Sequence, residues 1–168
     1  MQEYQALEAD LTHVSARLAA RGWMLATAES CTGGLIAAAC TDLAGSSAWF
    51  ERGFVTYSND AKTELLGVPA DLIAAHGAVS EPVARAMAEG AVDRSSASVA
   101  VAVTGVAGPG GGSADKPVGT VWFGWCVGGE TVTQRCRFDG DRAAVRAQTV
   151  AHAVRRLAEL LDRREGVA

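Results

Sequence analysis

Two hydrophobic periodicities alternate along this chain and limit the folds that it can adopt. Apolar residues recur every three or four positions at 7–18 and at 147–161, which is the spacing of a helix that buries one face. Between these segments lie short apolar or β-branched runs at 23–28, 49–57 and 98–104, which have the composition of strands. The alternation predicts an α/β protein whose sheet is covered by helices on both faces.

Shorter elements complete the predicted architecture. Four further helices are expected, beginning near Leu35, Ser58, Pro69 and Pro82. A glycine-rich loop at 105–119 follows the third strand, and strands at 120–127 and 131–138 then form a hairpin around Gly128-Gly129. We therefore expect one domain spanning residues 1–168, a three-layer α/β/α sandwich whose mixed sheet includes one antiparallel hairpin.

Composition and charge narrow the functional class. The formal net charge is −4 and 20% of the residues are charged, which argues against a general nucleic-acid or membrane-surface binder. No apolar run approaches the roughly 20 residues that cross a bilayer, so we expect a cytoplasmic protein. The four cysteines form no CxxC pair and the three histidines have no ligand spacing. We therefore expect reduced thiols, no metal site and no cofactor.

Ser30 follows the first predicted strand, at a sharp turn before a helix. In such a position a hydroxyl can project from the sheet edge while backbone amides at the helix start point toward the same spot, which suits acyl transfer. The flanking residues are Ala28 and Thr32, where a hydrolase nucleophile elbow has glycines. The alternative is that Ser30 or Thr32 only caps the helix at Gly33.

A serine nucleophile needs a base, and lysine supplies a candidate. The chain has 13 arginines but only two lysines, Lys62 and Lys116. Burial readily deprotonates a lysine, whereas an arginine stays charged, so Lys62 in a predicted helix is the candidate base. Its alternative role is that of a solvated helix residue. Cys31, with His76 as its base, is the alternative nucleophile.

Two further features suit an anion. The segment 104–112 follows a buried strand and contains glycines whose unblocked amides can bind an anion or a carbonyl; alternatively, it is a flexible surface loop. Arg142 lies in the first turn of the last helix, where the helix dipole disfavours a cation and an anionic ligand would compensate. Alternatively, Asp139 or Asp141 neutralises this arginine.

Four longer segments carry a resemblance to a known family. They read AESCTGG at 28–34, GSSAWFERGFVTYSNDAK at 45–62, GVAGPGGGSADKPVGTVWF at 105–123 and FDGDRAAVR at 138–146. Together they resemble the nicotinamide mononucleotide amidohydrolases, which are similar to the C-terminal domain of the competence/damage-inducible protein A. The similarity covers about residues 5–165, and the chain resembles the stand-alone form without a separate N-terminal domain.

The resemblance implies hydrolysis of the carboxamide of nicotinamide mononucleotide to nicotinate mononucleotide and ammonia, within pyridine nucleotide recycling. It places a catalytic Ser-Lys pair on Ser30 and Lys62, with Tyr57 and Thr104 to position or polarise that pair. By the same resemblance, one of two arginines, Arg142 or Arg146, meets the substrate. We also expect substrate contacts at Glu29, Asn59, Gly105 and Gly108. Of the two arginines, Arg142 is favoured by its place at a helix start. A homodimer or a larger homo-oligomer is also implied.

The expected mechanism uses no metal and no redox cofactor. Neutral Lys62 removes the Ser30 proton, and Ser30 Oγ attacks the amide carbon. The oxyanion is then held by backbone amides among Cys31, Thr32, Gly33 and Gly34. Two other functions remain open: a nucleotide-binding regulatory or interaction module without turnover, and an amidase for a different small amide.

Overall fold

The computed structural model describes residues 1–163 of the chain. Its helices are α1 (Gln2–Arg21), α2 (Leu35–Asp42), α3 (Asn59–Leu66), α4 (Ala70–His76), α5 (Glu81–Asp93) and α6 (Arg142–Arg163). Its strands are β1 (Leu25–Glu29), β2 (Phe50–Val55), β3 (Val99–Gly105), β4 (Thr120–Val127) and β5 (Glu130–Arg137). The predicted element types and their order are confirmed for this part of the chain. The predicted domain and family resemblance continue past residue 163, outside the described residues.

The five strands form one mixed sheet in the order β2-β1-β3-β4-β5. Strand β1 runs parallel to both β2 and β3, whereas β4 is antiparallel to β3 and to β5. The turn between β4 and β5 uses Gly128 at φ 55° and Gly129 at φ 89°, a left-handed conformation that glycine adopts without steric cost. The predicted mixed sheet with one antiparallel hairpin is confirmed.

Helices cover both faces of the sheet and bury two separate apolar clusters. Helices α1, α2 and α6 pack on the face formed by residues such as Leu25, Val101 and Phe123. Helices α3, α4 and α5 pack on the other face, where Ala28 and Ala102 lie. This arrangement is the predicted three-layer α/β/α sandwich. Within residues 1–163 the structure contains no helix with the length and apolar character needed to span a bilayer.

Small side chains on the second face let α5 lie close to the sheet. An added Cβ at Gly124 of β4 would stand 2.6 Å from the Ala84 carbonyl oxygen of α5, so any larger residue there would push the helix away. Gly90 of α5 is equally restricted, because its added Cβ would meet the Leu66 carbonyl oxygen at 2.0 Å. Close packing of α5 therefore fixes the position of α3 as well.

Parallel pairing places three strand ends side by side. Strands β1, β2 and β3 end at Glu29, Val55 and Gly105 respectively, and the register pairs Glu29 with Val55 on one side and with Val103 on the other. The residues that follow these strands therefore meet at one edge of the sheet. In open α/β sheets this carboxyl edge is where ligands bind.

Candidate active site

A cavity of about 320 Å³ opens at the carboxyl edge of the sheet. It is bounded by the turn after β1, the start of α3, the segment between α4 and α5, the glycine-rich loop after β3 and the start of α6. Nine of the predicted site residues line it: Ser30, Cys31, Tyr57, Asn59, Lys62, Thr104, Gly105, Gly108 and Arg142. The fold thus gathers residues that lie more than a hundred positions apart in sequence.

Ser30 and Lys62 face each other at the base of this cavity. Lys62 Nζ lies 3.0 Å from Ser30 Oγ. Both residues are buried, since Lys62 is 1% exposed and Ser30 is 8% exposed. Ser30 is fixed directly after β1, where its amide donates to the Val103 carbonyl at 3.1 Å. Lys62 is fixed by α3, whose N-cap Ser58 accepts a hydrogen bond from the Ala61 amide. Lys62 is therefore a buried residue and not a solvated one.

Backbone carbonyls surround the rest of the Lys62 amine. The Thr56 carbonyl accepts from Nζ at 2.9 Å, and those of Tyr57 and Ser58 lie farther away, each at 3.4 Å. Burial lowers the pKa of Lys62 because desolvation disfavours the ammonium form. A neutral amine has two N–H donors and one lone pair, so it can donate to carbonyls while its lone pair accepts the Ser30 proton.

The turn that carries Ser30 is held from beneath by a buried carboxylate. Glu29 is fully buried, and its oxygens accept hydrogen bonds from the Thr32 hydroxyl at 2.6 Å, the Ile36 amide at 2.8 Å and the Ala37 amide at 3.0 Å. The first turn of α2 has no other side-chain cap, so this carboxylate satisfies its amides. Glu29 is absent from the cavity lining, and a contact between its carboxylate and a substrate stays a prediction. Neither Ser30 nor Thr32 caps the helix.

Arg146 of α6 holds the same turn from the opposite side. Its Nε donates to the Cys31 carbonyl and its Nη2 to the Thr32 carbonyl, both at 3.1 Å. The guanidinium is thus engaged with backbone, and Arg146 does not line the cavity. A contact between Arg146 and a substrate stays a prediction.

Only some of the predicted oxyanion amides are available. The Gly33 amide donates to the Ser30 carbonyl at 3.0 Å, which removes it from the candidates. Within the described part of the chain, the amides of Cys31, Thr32 and Gly34 donate to no backbone carbonyl and to no side chain of another residue, and the Cys31 amide interacts with its own thiol. Of these residues, Cys31 is the one that lines the cavity, as Ser30 does.

Arg142 closes one side of the cavity mouth. Its Nη1 donates to the Gly108 carbonyl at 2.9 Å and its Nη2 to the Tyr57 hydroxyl at 3.0 Å. Asp141 instead caps α6 by accepting from the Ala144 amide, and among residues 1–163 neither predicted aspartate forms an ion pair with Arg142. An arginine at a helix start without a carboxylate partner retains the capacity to bind an anion.

One part of the cavity wall was not predicted from sequence. Ala78 and Val79, between α4 and α5, line the cavity, and the Thr104 hydroxyl fixes them by donating to the Ala78 carbonyl at 2.9 Å. This contact joins residues 26 positions apart, so no local pattern in the sequence predicts it. The other residues missing from the predicted list, Val106, Ala107, Gly110 and Gly111, belong to the glycine-rich loop that the sequence did single out.

The alternative nucleophile Cys31 is poorly suited to react. Burial raises the pKa of its thiol to about 11, so the reactive thiolate is scarce near neutral pH. Its predicted base, His76, is absent from the cavity lining, and the His76 carbonyl accepts a hydrogen bond from Lys116 Nζ. Across residues 1–163, no three side chains of His, Cys, Asp or Glu are grouped to hold a metal ion.

Known proteins are similar in sequence to this chain over most of its length. Nicotinamide-nucleotide amidohydrolase PncC of Escherichia coli K12 is 57% identical over 145 residues, which cover 86% of this chain and 88% of that protein. A CinA-like protein of Akkermansia muciniphila is 55% identical over 152 residues, which cover 90% of this chain and 36% of that longer protein.

Solved structures share the fold. A CinA superfamily protein from Klebsiella pneumoniae matches with a TM-score of 0.89 and 45% identity, covering 94% of this chain and 98% of that one. The competence/damage inducible protein CihA from Agrobacterium tumefaciens matches with a TM-score of 0.89 and 47% identity, covering 94% and 96%. A family model described as the CinA C-terminal domain matches residues 8–161. The chain therefore belongs to the CinA C-terminal domain family.

Proposed function

We propose that this protein hydrolyses the carboxamide of nicotinamide mononucleotide, releasing nicotinate mononucleotide and ammonia. The observation that carries the proposal is the buried Ser30–Lys62 pair, with Nζ 3.0 Å from Oγ at the base of a cavity. The substrate follows from the relatives named nicotinamide-nucleotide amidohydrolase, which are 57% identical to this chain. The reaction would belong to pyridine nucleotide recycling.

Acylation begins with proton transfer from Ser30 Oγ to neutral Lys62 Nζ. The serine oxygen then forms a bond to the amide carbon, and the carbonyl becomes a tetrahedral oxyanion. The amide of Cys31, a residue that lines the cavity as Ser30 does, would hold this oxyanion, and the amides of Thr32 and Gly34 are further candidate donors. Glu29 and Arg146 hold that turn rigid, so the donors are already oriented before the substrate binds.

Collapse of the tetrahedral intermediate releases ammonia. The Lys62 ammonium returns its proton to the departing nitrogen, so an –NH2 group leaves as NH3 and Lys62 becomes neutral again. Water, deprotonated by the same amine, then attacks the ester carbon. The ester bond to Ser30 breaks, Lys62 returns its proton to Ser30 Oγ, and the carboxylic acid product ionises by releasing its proton to solvent. Each proton removed by Lys62 is returned within the cycle, so the protein needs no other acid or base.

The phosphate of the substrate would bind at the cavity mouth. Arg142 uses two of its five N–H donors on Gly108 and Tyr57, which leaves three for an anion. The amides of Ala107, Gly110 and neighbouring loop residues have no protein acceptor within the described residues, so they add donors beside the guanidinium. Asn59 on the same rim can reach a ribose hydroxyl.

Ammonia release by the purified protein in the presence of a chelator tests this proposal. We would compare nicotinamide mononucleotide with nicotinamide, its riboside and the dinucleotide, using Ser30→Ala as the inactive variant and Ser15→Ala on α1 as the matched control. The proposal expects turnover of the mononucleotide by the wild type and by Ser15→Ala, and none by Ser30→Ala.

Other outcomes separate the alternative functions. Tight binding of the mononucleotide with no turnover of any substrate would indicate a nucleotide-binding regulatory module. Turnover of an amide that lacks the phosphate, at a rate equal to that of the mononucleotide, would indicate an amidase for a different small substrate.

A further inference from the structure

Two fully buried hydroxyl groups have no hydrogen-bond partner within residues 1–163, Thr27 Oγ1 and Thr56 Oγ1. A buried hydroxyl without a partner destabilises a fold, so its presence needs a reason. Thr27 lies in the middle of β1, where an added Cβ on Gly53 would stand 2.9 Å from its oxygen. Thr56 instead lies at the carboxyl edge of the sheet, next to the Lys62 amine.

The backbone of Thr56 is fixed on both sides. Its amide donates to the Glu29 carbonyl at 2.9 Å, and its own carbonyl accepts from Lys62 Nζ at 2.9 Å. The unpartnered hydroxyl therefore belongs to the residue whose carbonyl already binds the amine. Rotation about χ1 moves a threonine hydroxyl between staggered positions without disturbing such backbone bonds.

The number of acceptors around Lys62 fits a neutral amine better than an ammonium group. Two acceptors are close, Ser30 Oγ at 3.0 Å and the Thr56 carbonyl at 2.9 Å. The Tyr57 and Ser58 carbonyls are both 3.4 Å away, which is long for a hydrogen bond to a charged donor. An ammonium group has three N–H donors, so its third proton lacks a close acceptor.

We propose that the Thr56 hydroxyl is a reserve acceptor for the third N–H of protonated Lys62, and that Thr56 is thereby a positioning residue for the hydrolysis. The role of Thr56 in the hydrolysis rests on the proposed function. During acylation the Ser30 proton moves to Nζ, and the ammonium group forms just when Ser30 Oγ is becoming an ester oxygen and a poorer acceptor. A hydroxyl that turns toward Nζ at this stage replaces the lost contact.

Few other ionisable groups face the Lys62 amine. Cys31, Tyr57 and Arg142 line the same cavity, and Glu29 lies buried behind the turn with its oxygens bound to α2. On α3 itself the acidic residues are exposed, and the buried side chains of α4 and α5 are all non-ionisable. Among the described residues, therefore, no carboxylate lines the cavity and could accept a hydrogen bond from the third N–H of protonated Lys62 in place of the Thr56 hydroxyl.

Three variants separate this role from simple packing. Thr56→Val removes the hydroxyl and keeps the shape, Thr56→Ser restores the hydroxyl, and Thr27→Val removes the other unpartnered hydroxyl as a matched control. The chain has only two lysines, so ¹³Cε-lysine labelling gives two signals in an NMR pH titration, and Lys116→Arg assigns them. The pH dependence of kcat/KM is measured on the same variants.

We expect Thr56→Val to lower the Lys62 titration midpoint by about one pH unit, since it loses one hydrogen bond to a charged group. Its kcat for the mononucleotide should fall about tenfold while KM stays unchanged. Thr56→Ser and Thr27→Val should match the wild type in both measurements. Both valine variants should be at least as resistant to urea as the wild type at a pH where Lys62 is neutral.

A Lys62 midpoint that is the same in Thr56→Val and wild type would overturn the proposal. An equal displacement in Thr27→Val would also overturn it, because the effect would then come from packing. The NMR titration needs no turnover, so it decides the role of Thr56 even if the wild type fails to hydrolyse the mononucleotide, an outcome that would refute the proposed function alone.

Discussion

Replacing Glu29 by glutamine tests whether a buried carboxylate sets the shape of the turn at 30–34, which carries Ser30. The carboxylate accepts three hydrogen bonds, from the Thr32 hydroxyl at 2.6 Å and from the Ile36 and Ala37 amides at 2.8 and 3.0 Å. A glutamine keeps one acceptor oxygen, but its NH2 group must face at least one of these donors. At least one buried donor therefore loses its acceptor.

The size of the effect follows from that count. A hydrogen bond to a charged group contributes about 1.5–3 kcal/mol, and a buried donor left unpaired adds its own penalty. We expect Glu29→Gln to lower the free energy of unfolding by about 3 kcal/mol. The exposed Glu64 on α3 provides a matched control, and Glu64→Gln should change the stability by less than about 0.5 kcal/mol.

Urea denaturation followed by tryptophan fluorescence measures this difference, and ammonia release measures its consequence for Ser30. Because the same carboxylate anchors the turn that carries the nucleophile, kcat of Glu29→Gln should fall while KM changes little. A stability loss below about 1 kcal/mol together with an unchanged kcat would refute the reasoning, since Glu29 would then be neither a helix cap nor a support for Ser30.

Four further predictions concern the cavity. Lys62→Met should lower kcat by at least about a hundredfold, while Lys116→Met stays near wild type in the same ammonia assay. Burial lowers the pKa of Lys62 in the folded protein, so between that pKa and the ordinary lysine pKa the unfolded chain binds more protons than the folded one. Through this pH range the free energy of unfolding of the wild type should therefore rise with pH relative to that of Lys62→Met. Urea titrations at about pH 7 and about pH 9 check the sign of this change. Cys31→Ala should keep kcat within about threefold, because burial raises the pKa of its thiol to about 11 and leaves little thiolate to react. Gly108→Ala should raise KM and lower the melting temperature, because Gly108 has φ +86° and its added Cβ would lie 2.5 Å from Val118.

Local sequence patterns predicted the helices and strands well because the pattern that marks each element depends on residues close together in the chain. The strand at 120–127 is confirmed at both ends, and the predicted strand at 49–57 is shorter, spanning Phe50–Val55. After Val55 the Thr56 amide still donates to the Glu29 carbonyl, and the carbonyls of Thr56, Tyr57 and Ser58 accept from the Lys62 amine. Strand propensity alone does not anticipate these contacts.

The residues at the site were harder to assign than the elements. The scarcity of lysine pointed to Lys62, and the resemblance paired it with Ser30, which the 3.0 Å contact is consistent with. Glu29 and Arg146 are both candidate substrate contacts, and the structure shows that each of them binds the turn at 30–34. Arg146 reaches Cys31 across 115 positions of sequence. Contacts of that range depend on how helices pack on the sheet, so no local pattern reveals them.

We infer that Ser30 forms a covalent acyl intermediate with Lys62 as its base. Rapid acid quench during turnover of nicotinamide mononucleotide, followed by mass spectrometry of the peptide that carries the turn, detects this intermediate. We expect the mass of the nicotinate mononucleotide acyl group on Ser30, and no such adduct in Ser30→Ala. An adduct on Cys31, or ammonia release by Ser30→Ala at the wild-type rate, would contradict it.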